Sequence, residues 1–530
     1  MMRKVFYNGI VYTGEQTLSH AFVVEGDKFI FVGENDEALS FDADEKIDLS
    51  GAFVCAGFND SHMHLLNFGQ SLMNAPLAKH TGSLSDMIDC LKNAKPGRGG
   101  WVIGRGWNQD YFTDTDKMPT RWDLDKASLD HPVCATRACG HALCVNSKTL
   151  ELLGLSSDIK SPEGGSIGME NGELNGLFFD NAMELIYSKM PAPKKEDVKD
   201  MLLLAAKELN SYGITSCQSD DYCVFKGLSW ETVNEAYEEL IKEGRLTVRV
   251  YEQANFSDLD ELRDFIQKGN VTGKGDHNFK IGPLKMLGDG ALGARTALLS
   301  RPYADDNTTN GLGVFTQEEF DALIGLANKN GMQAAVHAIG DKCLDMVLSS
   351  YEKALGEHPR EDHRHGIVHC QITRPDQLEK MIKMKLNIYA QSIFLDYDIH
   401  IVNERVGKEL AGTSYSWKTL MDGGLNVSNG SDCPVELPNV LGGIYCAVTR
   451  RDLKGCEPYL EDQAFTVKEA IDSFTQNSAV SSFEENIKGR IKEGFLADFT
   501  VLDKDLFSID PSEISDVKVI GTYLGGKKVY

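Results

Sequence analysis

The chain has 530 residues, of which 42% are apolar and 25% are charged, and its formal net charge is −25 at pH 7. This composition is typical of a soluble globular protein, and the length allows a barrel of about 250 residues with additions. The acidic balance argues against a nucleic-acid partner, and we find neither a signal-peptide apolar region nor a run of about 18 apolar residues for a membrane span.

The twelve cysteines are scattered along the chain and form no CxxC pair. In a chain of this length, that usage predicts reduced thiols, many of them buried. Reduced thiols favour a cytoplasmic location.

Both ends of the chain predict β-strands. Residues 3–50 alternate apolar and polar side chains, with a hairpin turn at Gly26-Asp27, and residues 489–530 alternate in the same way. Because neither end can bury a core alone, we predict that residues 1–55 and 485–530 form one composite β-sandwich domain.

Two histidines follow the first apolar run of the middle region. The run 52–55 predicts a strand, and His62 and His64 come shortly after it. Residues i and i+2 of a strand point to the same face, so both imidazoles can reach one metal ion. Alone, such a pair is a weak signal, because chance and structural histidines explain most of them.

The remainder of the middle region predicts a parallel α/β fold with an insertion. Residues 70–200 contain Gly- and Pro-rich stretches, which we interpret as an insertion at about 75–195 after the first barrel strand. Helical and strand-like segments alternate after it, as in parallel α/β proteins. The clearest helix–strand pairs are 195–212 with 214–217, 230–243 with 246–251, 317–330 with 333–337, and 374–384 with 386–391.

Four more polar residues come at or after strand-like runs. They are His337, His369, Asp432 and Lys285. Barrel enzymes carry their active sites at the C-terminal ends of the strands, so we expect these side chains to meet His62 and His64 there.

Lys285 is the unusual member of this set. Desolvation at the end of a buried strand favours its neutral amine, which can capture carbon dioxide as a carbamate. Four histidines, a carbamate and an aspartate suit two zinc-like ions that share a hydroxide. An unmodified lysine cation is the alternative.

Several segments together resemble the metal-dependent amidohydrolase superfamily, in particular the branch of N-substituted formamide deformylases and YtcJ-like proteins. The resemblance covers essentially the whole chain, and the motifs follow the family's order. It implies a (β/α)₈ TIM barrel over residues 56–484, the composite β-sandwich, and a metal-dependent hydrolase. The matching segments are 9–13, 137–141, 285–293, 336–341, 430–434, and 489–494 leading to 497–498.

The resemblance also implies residue roles. His62, His64, His337, His369 and Asp432 would be metal ligands, with Lys285 as a modified bridge. Asp432 would also carry protons, and His141 would donate to the substrate carbonyl. Trp107, Arg295 and Gln391 are candidates for substrate binding; the alternatives are a core position for Trp107, a loop-holding role for Arg295 and packing for Gln391.

The expected reaction is hydrolysis of a non-peptide C–N bond in a small molecule. An esterase or lactonase would use the same centre. A deaminase is disfavoured, because Gly340 stands where such relatives place a glutamate, and a non-catalytic scaffold is disfavoured because all six ligands are present. We expect two Zn²⁺ ions, with Mn²⁺ or Fe²⁺ as alternatives, and a homodimer as the commonest oligomer.

Overall fold

The computed structural model describes residues 2–15 and 18–530, so residues 1, 16 and 17 of the predicted terminal domain lie outside the described residues. Eight parallel strands form one sheet in which each strand pairs with the next along the chain. This sheet confirms the predicted α/β barrel. From first to eighth, its strands are Phe58–Met63, Ile214–Ser219, Arg249–Asn255, Phe279–Leu287, Ala334–Ala338, Gly366–His369, Asn387–Ala390 and Val427–Asn429.

The first and eighth barrel strands meet just beyond their ends. The backbone N–H of Asp432 donates to His62 O, and that of His64 donates to Cys433 O, each at 2.8 Å. Gly430 permits this approach, because a Cβ there would lie 2.6 Å from the backbone nitrogen of His62. The seam of the barrel therefore closes between predicted site residues.

Helices alternate with the barrel strands, as the sequence predicts. Helix Gln317–Lys329 begins with a capping box formed by Thr316 and Glu319, which satisfies exposed N–H groups of its first turn. The longer helices are Lys195–Ser211, Trp230–Lys242, Leu259–Gln267, Gln317–Lys329, Asp341–Glu357, Pro375–Met384, Val402–Ala411, Trp417–Asp422, Val440–Thr449, Val467–Ser473 and Gln476–Ser481.

The two ends of the chain share a β-sheet, as expected for the predicted composite terminal domain. Strand Phe499–Leu502 pairs antiparallel with Phe53–Ala56 in a six-stranded sheet. The other strands of that sheet are Ile10–Tyr12, Leu18–Ser19, Val519–Leu524 and Lys527–Lys528, and a four-stranded sheet contains Arg3–Tyr7, Ala21–Glu25, Lys28–Gly33 and Glu45–Asp48.

Aromatic side chains from both termini fill the core of this domain. Phe6 stacks on Phe22 with ring centroids 4.8 Å apart, and Phe499 stacks on Tyr523 at 4.4 Å. The two pairs also meet edge to face, with Phe6 and Phe499 centroids 5.1 Å apart. Such contacts add to the area that each ring buries, so each terminus completes the core of the other.

The residues between the first and second barrel strands form most of a second compact unit, which comprises residues 66–205 and 224–236. This unit contains its own six-stranded sheet. The strands of the sheet are Ala75–Pro76, Val102–Trp107, Val133–Arg137, Ala142–Val145, Gly165–Glu170 and Glu173–Asp180, and the α-helices of this segment are Leu65–Met73, Leu84–Asn93, Arg121–Leu124, Ser147–Leu153 and Glu184–Tyr187.

In the part of the chain that the structure describes, no helix has the length and apolarity to cross a membrane.

Candidate metal centre

Four histidines from three parts of the barrel sheet converge at the C-terminal ends of its strands. The rings of His62 and His64 lie 5.2 Å apart, centroid to centroid. His369 lies 5.7 Å from His62 and 4.4 Å from His337. His62 belongs to the barrel strand Phe58–Met63, whereas the run 52–55, from which we predicted a strand leading to it, lies mostly in a strand of the terminal domain.

Asp432 joins this group from the end of the eighth strand. Its Oδ1 lies 3.3 Å from His62 Nε2 and 2.9 Å from His64 Nε2. Across the described residues, two groups of three potential ligands have donor atoms within 4.8 Å of one another. One is His62, His64 and Asp432; the other, at a half-exposed loop, is His400, Asp452 and Cys456.

Side-chain amides orient two of the imidazoles. His62 Nδ1 donates to Gln253 Oε1 at 2.9 Å, and His369 Nδ1 donates to Gln391 Oε1 at 2.8 Å. In both rings, Nε2 is left as the nitrogen available to a cation. His337 is held through the opposite ring nitrogen, since its Nε2 lies 3.1 Å from Gly290 O. Such partners fix the tautomer of a metal-binding histidine.

His64 lies between two carboxylates. Its Nδ1 contacts Asp220 and its Nε2 contacts Asp432. Burial alone would lower the pKa of His64, but the two carboxylates outweigh burial and raise it to about 10. The site therefore favours positive charge at this position, which a cation between the ligands would also supply.

The pKa values of His62 and His369 shift in the opposite direction. Burial, together with the charge of Lys285, lowers the pKa of His62. Burial and the charge of His337 hold the pKa of His369 well below its usual value. Neutral imidazoles are the form that binds metal ions.

Lys285 lies in the fourth barrel strand, and its side chain is 1% exposed. Its Nζ lies 3.3 Å from Asp220 Oδ2. The structure thus brings Lys285 to the same end of the barrel as the histidines, with a carboxylate beside it.

Two further carboxylates hold the loops of this face together. Asp289 accepts hydrogen bonds from the N–H groups of Leu298, Ile339 and Gly340 at 2.8–3.0 Å, and its Oδ1 lies 3.3 Å from His337 Nε2. Asp60 accepts bonds from the backbone and hydroxyl of Ser431. These contacts fix the chain on either side of the predicted ligands.

Two predicted ligands have a backbone conformation that is rare for residues other than glycine. The φ angle is 74° at His369 and 58° at Asp432. The indole of Trp417 donates to the carbonyl oxygens of His369 and Cys370 and so supports the backbone conformation of His369. Strained non-glycine residues of this kind cluster at functional sites.

Gln391 occupies a packing position and Arg295 holds a loop, which are the alternatives to substrate binding given above. Gln391 is completely buried and is engaged with His369 and with Tyr389 O. Arg295 pairs through two nitrogens with Asp305 and holds the loop after the fourth strand. The roles of Gln391 and Arg295 in substrate binding stay predictions.

The two predicted residues in the inserted unit differ from each other. Trp107 is completely buried in that unit's core, and its indole donates to Ala135 O at 2.9 Å. This position agrees with the core alternative, and a role of Trp107 in substrate binding stays a prediction. His141 is exposed, with Nδ1 3.0 Å from Asp180 Oδ1, and its catalytic role stays a prediction.

The donor set fits a divalent cation. Imidazoles and carboxylates suit Zn²⁺, Mn²⁺ and Fe²⁺. Two buried carboxylates, those of Asp220 and Asp432, contact opposite nitrogens of the His64 imidazole. Buried carboxylates are costly unless positive charge compensates them, and a bound cation would supply such charge.

Sequence reasoning did not identify Asp220, Gln253 or Asp289. Asp220 directly follows the second barrel strand, so the rule that led to His337 and His369 would also have found it. Gln253 escaped because the predicted strand 246–251 stopped before it, whereas the observed strand is Arg249–Asn255. Asp289 lies among glycines and offered no pattern of its own.

Comparison with known proteins agrees with this geometry. The sequence profile described as "Amidohydrolase family" matches residues 45–530. The putative amidohydrolase YtcJ of Bacillus subtilis (strain 168) is 34% identical, covering 100% of this chain and 99% of that protein. The N-substituted formamide deformylase of Arthrobacter pascens is 25% identical, covering 96% of this chain and 94% of that protein.

A solved structure shares the fold over nearly the same length. The crystal structure of an uncharacterized metal-dependent hydrolase from Pyrococcus horikoshii OT3 superimposes with a TM-score of 0.79 at 30% identity, covering 96% of this chain and 99% of that one. The chain therefore belongs to the amidohydrolase family of metal-dependent hydrolases.

Proposed function

We propose that this protein hydrolyses an amide-type C–N bond of a small molecule at the centre formed by His62, His64, Lys285, His337, His369 and Asp432. The observation that carries the proposal is the meeting of these side chains, from five strands, at the C-terminal end of one barrel. The deformylase from Arthrobacter pascens, named for its action on N-substituted formamides, supports the choice of an amide.

The same six residues would hold one or two divalent cations, for which we propose zinc. A bound divalent cation supplies a Lewis acid and lowers the pKa of a water molecule toward neutrality. Lys285 would contribute either as a carbamate ligand or as an ammonium group beside Asp220.

Asp432 is the residue best placed to move protons. Its Oδ1 lies within 3.3 Å of two imidazole nitrogens, and its side chain is 10% exposed. The imidazoles of His62 and His64 hold the pKa of Asp432 well below its usual range, although burial opposes them. As a carboxylate it can take a proton from the attacking water and pass it to the leaving amine. We propose His141 as a donor to the substrate carbonyl.

A substrate screen tests the proposal. N-formyl, N-acyl and cyclic amides, with matched esters and lactones, are supplied to zinc- or manganese-loaded protein. We expect amide hydrolysis that chelator abolishes and that Asp432→Asn removes. Turnover of esters alone would replace the amidase assignment with an esterase, and less than one equivalent of metal in the purified protein would indicate a scaffold.

A further inference from the structure

A second group of metal-binding side chains lies outside the proposed hydrolytic centre. His400 lies in the turn before helix Val402–Ala411. Asp452 and Cys456 lie in the loop that follows helix Val440–Thr449. One donor atom from each of the three residues lies within 4.8 Å of the other two. None of the three belongs to the predicted ligand set or takes part in the proposed reaction.

The loop itself holds Asp452 and Cys456 close together. The backbone N–H groups of Lys454 and Cys456 donate to Asp452 Oδ1 at 3.1 and 2.9 Å, and the N–H of Asp452 donates to Cys456 Sγ at 3.4 Å. A turn closes between them, since the N–H of Gly455 donates to Asp452 O and the φ angle of Gly455 is 84°, a conformation that favours glycine. The loop therefore sets the positions of the carboxylate and the sulfur before any cation binds.

The second oxygen of this carboxylate faces the imidazole of His400. Asp452 Oδ2 lies 2.9 Å from His400 Nε2, and the side chain of His400 is 52% exposed whereas that of Asp452 is 7% exposed. Two ligand atoms of a tetrahedral zinc ion lie about 3.4 Å apart, because each is about 2.1 Å from the metal. An imidazole that is half in solvent can move outward by this small difference and admit an ion.

The chemistry of the three donors selects the class of cation. Burial opposes ionisation of Asp452, but the N–H of Cys456 and the imidazole of His400 lower the pKa of this carboxyl below its usual value. A carboxylate and a thiolate together carry two negative charges, which one divalent ion balances. Nitrogen and sulfur donors suit Zn²⁺ and similar transition-metal ions, whereas Mg²⁺ and Ca²⁺ take oxygen ligands.

We propose that His400, Asp452 and Cys456 form a second metal site, which binds one zinc-like ion through His400 Nε2, Asp452 Oδ2 and Cys456 Sγ. A water molecule takes the fourth position, because the site is open to solvent on the side of His400. The ion ties the turn before helix Val402–Ala411 to the loop after helix Val440–Thr449. The site shares no ligand with the proposed hydrolytic centre and does not depend on the activity proposed there.

A cobalt titration of the full-length chain distinguishes the two sites, because the hydrolytic centre has no cysteine among its proposed ligands. Wild-type protein, Cys456→Ser and His400→Ala are stripped with chelator and titrated with Co²⁺ in the presence of excess Mg²⁺ and a non-thiol reductant. The bound equivalents, the affinity and the near-ultraviolet sulfur-to-cobalt charge-transfer band are recorded. This band reports a thiolate ligand directly and is independent of turnover.

Cys90→Ser is the matched control. Cys90 is also half-buried and lies near Asp86, which pairs with His80 at 3.0 Å. Among the described residues, however, these three do not form a group whose donor atoms all lie within 4.8 Å of one another. A cysteine beside a His–Asp pair is thus compared with a cysteine that meets one.

We expect wild type to bind one equivalent of Co²⁺ that produces the charge-transfer band. Cys456→Ser should lose the band, and His400→Ala should bind this ion about 100-fold more weakly, since loss of residues that merely support ligands already costs 10–100-fold. Cys90→Ser should match wild type. Absence of the band in wild type, or its survival in Cys456→Ser, would overturn the inference. An unchanged affinity in His400→Ala would also overturn it, because it would indicate a thiol that binds cobalt without the imidazole.

A crystal structure of zinc-loaded wild-type protein covers the case in which a variant fails to fold. An anomalous zinc peak at about 2.0–2.3 Å from His400 Nε2, Asp452 Oδ2 and Cys456 Sγ would establish the site. A saturated crystal without a peak there would overturn the inference and would leave the three side chains as a hydrogen-bonded loop contact.

Discussion

Gln391 offers a sharp test of how the protein orients its histidines. In Gln391→Leu, the N–H of His369 and the carbonyl of Tyr389 lose partners at 2.8 and 2.9 Å, and both residues are buried. Each buried group left without a partner costs about 1–3 kcal/mol. The loss of the hydrogen bond to His369 affects metal binding, because the imidazole can then rotate or change tautomer.

We therefore expect zinc affinity to fall by about 10–100-fold, which corresponds to about 1.4–2.7 kcal/mol. Competition with a chromophoric chelator measures this affinity, and circular dichroism of the metal-free proteins verifies the fold. Gln391→Glu is the matched control, since it keeps an acceptor for His369 Nδ1 and should bind zinc more tightly than Gln391→Leu. Equal affinities for wild type and both variants would show that the amide does not orient His369.

Three further predictions concern other parts of the molecule. Asp432→Asn should lower turnover by about 10²–10⁴-fold in steady-state assays while the far-ultraviolet spectrum stays unchanged. Arg249→Met should lower the free energy of unfolding in urea by about 3–5 kcal/mol, because it breaks a buried two-nitrogen pair with Asp498 at 2.6 and 2.9 Å. Burial raises the pKa of Asp398 to about 6, whereas a value near 3.9 is expected in the unfolded chain. The protonated carboxyl therefore contributes stability that is fully present below about pH 4 and is lost as the pH rises through 6. Urea titrations from pH 4 to 8 should show that slope in wild type, by up to about 3 kcal/mol, and should lack it in Asp398→Asn.

The sequence predicts the architecture well because barrel strands alternate with amphipathic helices. Helix Gln317–Lys329 and strand Ala334–Ala338 lie within one residue of their predicted bounds. The third barrel strand was predicted too early, since its C-terminal half contains Glu252, Gln253 and Asn255. Polar residues that face a functional site interrupt the apolar pattern by which a strand is recognised.

The candidate site was predictable to the extent that its residues bind metals in other proteins. His62, His64, His337, His369 and Asp432 stand out because histidine and aspartate at strand ends have a known chemical use. Gln253 and Gln391 act through contacts with residues 191 and 22 positions away. No local pattern encodes such distant pairs, so only the three-dimensional structure could assign them the role of orienting imidazoles.

The location of the centre at the barrel seam relates metal binding to the fold. His62 and His64 come from one side of the seam and Asp432 from the other, and backbone hydrogen bonds already join the two sides. Strand pairing in the terminal domain makes a second connection between the two sides. Strand Phe53–Ala56, just before the first barrel strand, pairs with strand Phe499–Leu502, which follows the eighth barrel strand in the chain. A cation would add a third connection, worth about 2.7 kcal/mol at a hundredfold excess over its dissociation constant. Since the terminal domain and the backbone bonds remain without it, loss of metal should weaken the seam and leave the barrel folded.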